Sequence, residues 1–65
     1  MKYPDITVQL TGTGGNVFSI IGRVSLALRR GGVDASEITQ FQRECMSAES
    51  YDEALCVCME WCEVE

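Results

Sequence analysis

The sequence predicts a small α+β domain with one N-terminal strand, three helices and a short C-terminal strand. Three observations predict it. Apolar residues alternate near the N-terminus, three later segments have helical periodicity, and a favoured capping residue precedes each of those segments. The chain has 65 residues, so we expect residues 1–65 to form a single domain with a thin core. Domains of this size usually gain support from a metal, a disulfide or a partner chain.

The predicted strand covers residues 6–11, where Ile6, Val8 and Leu10 alternate with polar residues. A lone strand leaves a row of unpaired backbone groups and therefore needs a neighbour. The tail, residues 61–65, alternates weakly, which is consistent with a short closing strand. We expect the tail to pair with the first strand and the remaining edge, or spare helix surface, to form a homodimer.

The first helix is predicted to start near Asn16, a favoured N-cap residue, and to end near Arg30. Its apolar face at helical spacing consists of Val17, Ile20, Ile21, Val24 and Leu28. Phe18 and Leu26 lie beside that face, so the helix is apolar on more than one side. Gly22 in the interior costs about 1 kcal/mol relative to alanine. This cost predicts a close helix contact at Gly22.

Two capping boxes predict the starts of the second and third helices, Asp34 with Glu37 and Ser50 with Glu53. The second helix is predicted to end near Ser47. Its apolar stripe consists of Ile38, Phe41 and Cys45, and that of the third helix of Leu55, Cys58, Met59 and Cys62.

The net charge of −5 is divided unevenly along the chain. Residues 1–33 carry four basic residues and one acidic residue, a balance of +3, whereas residues 34–65 carry one basic and nine acidic residues, a balance of −8. Nucleic-acid binding usually requires a broad basic surface, which this acidic chain is not expected to have. The sequence therefore predicts no nucleic-acid partner. The two halves could instead pair with each other, or the acidic half could face a basic partner. A solvated acidic surface is the alternative.

No apolar run approaches the roughly 18–20 residues that span a bilayer, and the N-terminus lacks the apolar core of a signal peptide. We therefore predict a cytoplasmic protein with no membrane partner. In that compartment the four cysteines, Cys45, Cys56, Cys58 and Cys62, are expected to be reduced.

A glycine-rich turn between the first strand and the first helix suggests phosphate binding. It consists of Gly12, Thr13, Gly14, Gly15 and Asn16. A P-loop needs lysine and then Ser or Thr after its last glycine, but Asn16 and Val17 follow here. A dinucleotide fingerprint needs glycine in place of Val17. Free N–H groups at a helix start still attract anions, so a small anion or nucleotide binder is the alternative function.

Metal and catalytic chemistry have little support in the residue types present. Cys58 and Cys62 lie one helical turn apart and Cys45 could approach them, which makes a thiolate metal site a third hypothesis. The chain has no CxxC pair and no histidine, so packed core thiols are preferred and neither a metal nor a cofactor is predicted. Without histidine, Ser–His and Cys–His catalysis is impossible. We predict that the protein is not an enzyme.

The leading hypothesis is a non-enzymatic interaction protein that forms a homodimer and binds another protein. Tyr51, Met59 and Trp61 are the candidate partner-binding residues, because tryptophan and tyrosine are enriched in binding hot spots. The alternative is that these side chains close the thin core.

A further indication comes from the pattern TVQLTGxxGNxFxIIGxVxxALRRxGV, followed by an acidic helix and a Tyr-Asp…Met-x-Trp ending. The chain thereby resembles small uncharacterised proteins of bacteria and their phages. The matching residues are Thr7 to Leu10, Gly15-Asn16, Phe18, Ile20 to Gly22, Ala27 to Arg30, Gly32-Val33, Tyr51-Asp52, Met59 and Trp61. The resemblance implies a cytosolic and possible phage origin and supplies no activity. A phage-encoded protein of this kind would modulate or inhibit a host defence protein by masking its surface.

Overall fold

The computed structural model of the chain describes residues 1–10 and 16–65. Its elements in chain order are β1 (Tyr3–Val8), α1 (Val17–Arg30), α2 (Ala35–Met46), α3 (Tyr51–Trp61) and β2 (Cys62–Val64). The strands form a two-stranded parallel sheet. The predicted α+β class, with three helices between an N-terminal strand and a short closing strand, is confirmed. No helix in the described part of the chain is both long enough and apolar enough to cross a bilayer.

The two ends of the chain lie side by side in this sheet. At one end the Lys2 N–H donates to the Glu60 carbonyl over 2.9 Å. At the other, the Glu65 N–H donates to the Val8 carbonyl, and the Leu10 N–H donates to the Glu65 carbonyl, each over 2.8 Å. The predicted pairing of the tail with the first strand is therefore confirmed.

The predicted bounds of the first strand, residues 6–11, are wrong, because the strand begins at Tyr3 and ends at Val8. The partner strand sets these bounds. β2 is only three residues long and places Cys62 beside Tyr3, so pairing begins near the N-terminus. Pro4 is tolerated because it lies in an irregular stretch of the ladder, between Tyr3 and Thr7.

The alternation of the strand is as predicted. Val8 and Leu10 are buried and Ile6 is half-buried, whereas Thr7 and Gln9 are exposed.

The hydrophobic core contains residues from every helix and both strands. Its buried apolar members are Val8, Leu10, Ile20, Ile21, Val24, Leu28, Ile38, Phe41, Cys45, Ala54, Cys58, Trp61 and Cys62.

Helix α1 has the predicted bounds. The Asn16 side-chain oxygen accepts a hydrogen bond from the Phe18 N–H over 2.8 Å, the interaction expected of an N-cap. After Arg30 the chain leaves the helix through Gly31 and Gly32. Gly32 has φ +83°, a conformation that glycine adopts without strain.

The predicted capping box of α2 is wrong. Asp34 makes no side-chain capping bond among the described residues. Its carboxylate instead accepts from the Ser36 hydroxyl. The Glu37 carboxylate accepts from the Tyr3 hydroxyl over 3.1 Å, so it ties α2 to the first strand.

The capping box of α3 forms only in part. The Ser50 hydroxyl oxygen accepts from the Glu53 N–H over 3.1 Å, as predicted. The return bond differs, because the Glu53 carboxylate accepts from the Glu49 N–H over 2.9 Å rather than from Ser50. This holds the Glu53 side chain beside residue 49.

The close helix contact predicted at Gly22 is absent from the described structure. A Cβ atom added to Gly22 would meet no described atom within 4 Å other than those of its chain neighbours and the surrounding backbone of α1. On the same outer side of α1 lie Phe18, which is 69% exposed, and Leu26, which is 47% exposed. Gly22 therefore faces open space between two exposed apolar side chains, one helical turn from each.

Candidate functional site

The three candidate partner-binding residues do not share one surface. Trp61 is only 1% exposed, Met59 is 49% exposed, and Tyr51 is half-buried. Trp61 therefore lies in the core, as the alternative interpretation expects, and its role in partner binding stays a prediction. The residue lies on the inner side of α3, where Ala54 and Cys58 are also buried.

Trp61 instead joins three parts of the fold. Its ring packs edge-to-face on Phe41, with centroids 5.7 Å apart, and stacks on Tyr3 at 6.1 Å. The indole N–H donates to a Glu44 carboxylate oxygen over 2.9 Å, and the Lys2 ammonium lies 3.9 Å from the ring centroid. Each contact ties α3 to α2 or to the N-terminus, so this cluster supports the fold.

Two pKa shifts accompany this cluster. The hydrogen bond from Trp61, reinforced by one from Gln40, holds the pKa of Glu44 below its usual value. Desolvation, with the hydrogen bond to Glu37, raises the pKa of Tyr3. At neutral pH Glu44 is therefore ionised and accepts from Trp61, and Tyr3 is protonated and donates to Glu37.

The cysteine side chains are mostly part of the core. Cys45, Cys58 and Cys62 are buried and only Cys56 is exposed. The hydrogen bond with Cys45 and then burial raise the pKa of Cys58, and burial raises the pKa of Cys62 to about 11. Both thiols are therefore neutral at pH 7 and pack as apolar side chains in the core.

No metal-binding arrangement is found in the described structure. Within residues 1–10 and 16–65, no three Cys, Asp or Glu side chains are grouped so that they could hold a metal ion. The expectation that the protein binds no metal or cofactor stays a prediction.

The predicted anion site lies almost wholly outside the described residues, which omit Gly12, Thr13, Gly14 and Gly15. Asn16 is described, and its side-chain oxygen is occupied by the Phe18 N–H. Anion binding at this turn stays a prediction.

Two surface grooves remain as candidate sites. The larger, here called the edge groove, has a volume of about 490 Å³ and lies between β1 and α1. Its lining residues are Asp5, Ile6, Thr7, Val8 and Gln9 from the strand side and Arg23, Leu26, Ala27, Arg30 and Gly31 from the helix side. Four consecutive residues of β1 and the next residue, Gln9, line it, although neighbours in an extended segment point to opposite faces. The groove therefore runs along the edge of β1.

The backbone geometry identifies which groups face this groove. The Val8 carbonyl and the Leu10 N–H both bond to the backbone of Glu65, the residue that follows β2. Successive residues of a strand direct these groups to opposite edges, so the N–H and C=O of Thr7 and Gln9 point to the other edge. There Arg23 Nη1 lies 3.5 Å from the Gln9 carbonyl oxygen. No described strand pairs with this edge.

The edge groove is positively charged and partly apolar. Two cations, Arg23 and Arg30, line it with one acid, Asp5. The half-exposed Leu26 and half-buried Ile6 supply its apolar wall. The arrangement can therefore accept an extended segment by backbone pairing, with a carboxylate directed at the arginines.

The smaller groove, here called the helix-end groove, has a volume of about 300 Å³. It lies where the start of α1 meets the end of α2 and the start of α3. Its lining residues are Val17, Phe18, Cys45, Met46, Ala48, Glu49, Ser50 and Tyr51. Sequence reasoning anticipated only Tyr51 as a binding residue here. The available signal was that Phe18 and Met46 fall outside the core faces of their helices.

Comparisons with known proteins give no family assignment. No protein-family model matches the chain, and no curated protein and no solved structure matches it. The resemblance to small bacterial and phage proteins stays a prediction, as does the inhibition of a host defence protein that it implies.

Proposed function

We propose that the protein is a non-enzymatic interaction protein that forms a homodimer by pairing the open edges of two β1 strands. One observation carries the proposal: the backbone groups of Thr7 and Gln9 face the edge groove, and no described strand pairs with them. Proteins usually protect a free strand edge with lysine, proline or an inward charge. Pro4 and Asp5 protect the start of β1, but residues 7–9 carry no such device.

A two-fold axis centred on Thr7 would satisfy this edge with the same surface from each copy. The strands would run antiparallel, and each Thr7 N–H would donate to the Thr7 carbonyl of the second copy. The two-stranded sheet of each protomer would become half of a four-stranded sheet. Identical threonines opposite each other form a favourable cross-strand pair.

Charge supports the same register. With Thr7 opposite itself, Asp5 of one copy faces Gln9 of the other. The Gln9 carbonyl lies beside Arg23. The Asp5 carboxylate of each copy would therefore approach the Arg23 guanidinium of the other copy, at two symmetric positions. The second copy would also cover the side chain of Leu26, which is half-exposed in the monomer.

Replacing Thr7 with proline is expected to weaken the dimer by about 30-fold or more. The change removes one N–H from each protomer, and two lost hydrogen bonds at about 1 kcal/mol each give this factor. The fold should persist because this N–H does not serve β2. Sedimentation velocity over a concentration series measures the dissociation constant, and far-UV circular dichroism checks folding.

Thr7→Val is the matched control, since it keeps the N–H and the β-branched shape. It should dimerise as the wild type does. A wild-type chain that stays monomeric at the highest soluble concentration contradicts the proposal. So does a folded Thr7→Pro variant that dimerises normally.

A further inference from the structure

We propose that the helix-end groove binds a basic amphipathic helix of another protein, which inserts an apolar side chain between Phe18 and Met46. This goes beyond dimer formation. The helix-end groove and the edge groove share no lining residue, so either proposal can fail without the other.

The apolar part of the site consists of large side chains at a concave surface. Phe18 is 69% exposed and Met46 is 58% exposed, and both border the groove. Val17 and Ala48, each half-buried, and the buried Cys45 line it with them. Large apolar side chains beside a groove are typical of a binding site. Methionine adapts to varied apolar partners because its side chain is flexible and polarisable.

The charges around this groove favour a partner with positive charge. Glu49 lines it, and Asp52 and Glu53 are exposed in the first turn of α3 beside it. The Glu53 carboxylate is held at the Glu49 N–H. No lysine or arginine is among the lining residues. The one basic residue of α2, Arg43, lies a turn before Met46 and leaves the acids in excess.

Helix dipoles do not reverse this preference. The starts of α1 and α3 carry partial positive charge, equivalent to roughly half an elementary charge each. One N–H at each start is capped by a side chain: Asn16 accepts from the Phe18 N–H and Ser50 from the Glu53 N–H. The end of α2 contributes a partial negative charge to the same place. Full carboxylate charges therefore dominate, and lysine or arginine beside the apolar anchor would be attracted.

The test uses a fluorescein-labelled peptide of leucine and lysine in amphipathic order, about 18 residues or five helical turns long. Its binding is followed by fluorescence anisotropy. Two matched probes accompany it: a scrambled peptide of the same composition, and a peptide with glutamate in place of lysine. The amphipathic basic peptide should bind at least tenfold more tightly than either control. Its affinity should fall as the salt concentration rises.

Substitutions in the protein locate the binding. Phe18→Ser and Met46→Ser should each weaken binding by about tenfold or more. Leu26→Ser is the matched control, because Leu26 is an exposed residue of α1 that lines only the edge groove; it should leave the affinity unchanged. All three side chains are exposed, so the variants should fold.

Either of two results overturns the proposal. One is equal binding of the scrambled or acidic peptide, which would indicate unspecific attraction or none. The other is an affinity that Phe18→Ser and Met46→Ser leave unchanged. Repeating the titration with the Thr7→Pro variant separates this site from dimer formation, since peptide binding should persist there.

Discussion

Replacing Trp61 with alanine is expected to lower the free energy of unfolding by about 3–5 kcal/mol. The indole is 1% exposed and packs against Phe41 and Tyr3, so its removal leaves a large cavity. The change also leaves the Glu44 carboxylate without its indole donor. A domain of this size rarely has more than about 3–5 kcal/mol of stability from its core. The variant should therefore be largely unfolded, as urea titration followed by circular dichroism would measure.

Met59→Ala is the control, because this side chain lies on the same helix and is half-exposed. Its effect should stay within about 0.5 kcal/mol. A Trp61→Ala variant with wild-type stability would contradict the burial of the indole and would favour the interpretation of Trp61 as a partner-binding residue.

Replacing Cys58 with aspartate is expected to abolish folding at neutral pH. The Cys58 side chain is completely buried, and an unpaired carboxylate there costs on the order of several kcal/mol. The measurement is the loss of the cooperative thermal transition. Partial recovery at low pH is expected, because protonation of the aspartate removes the buried charge.

Cys56→Asp makes the same chemical change on the opposite side of α3, where the residue is exposed. It should fold with stability close to that of the wild type. Equal damage from both substitutions would mean that α3 does not face the core as described.

Much of the fold could be predicted because local signals agree with the tertiary structure. The alternation at Ile6, Val8 and Leu10 gave the inner face of the first strand. Asn16 and the glycines after Arg30 gave both ends of α1. In each case the deciding interaction lies within a few residues, as in the Asn16 bond to the Phe18 N–H.

The inner face of α3 could be predicted only in part, because the helix also has apolar residues outside the predicted stripe. The predicted stripe correctly contained Cys58 and Cys62, which are buried, but it also contained the half-exposed Met59. It omitted Ala54 and Trp61, which the structure buries. The choice depends on Phe41 and Tyr3, which are distant in sequence and pack against the indole. Periodicity within one helix carries no information about such partners.

The candidate sites were less predictable than the fold. The helix-end groove needs the ends of three helices to meet, which no local pattern specifies. The edge groove was foreseen only as an unused strand edge. Its lining by Arg23, Leu26 and Arg30 depends on how α1 packs beside β1.

The central claim, that the outer edge of β1 pairs only in a dimer, is tested most directly by residue-resolved amide hydrogen exchange. The Leu10 N–H donates to Glu65 within each chain, so its protection should be present at every protein concentration. The Thr7 N–H faces the edge groove, so its protection should be low in dilute solution and rise as the dimer forms. Fast exchange at Thr7 at every concentration, while Leu10 stays protected, would contradict the claim.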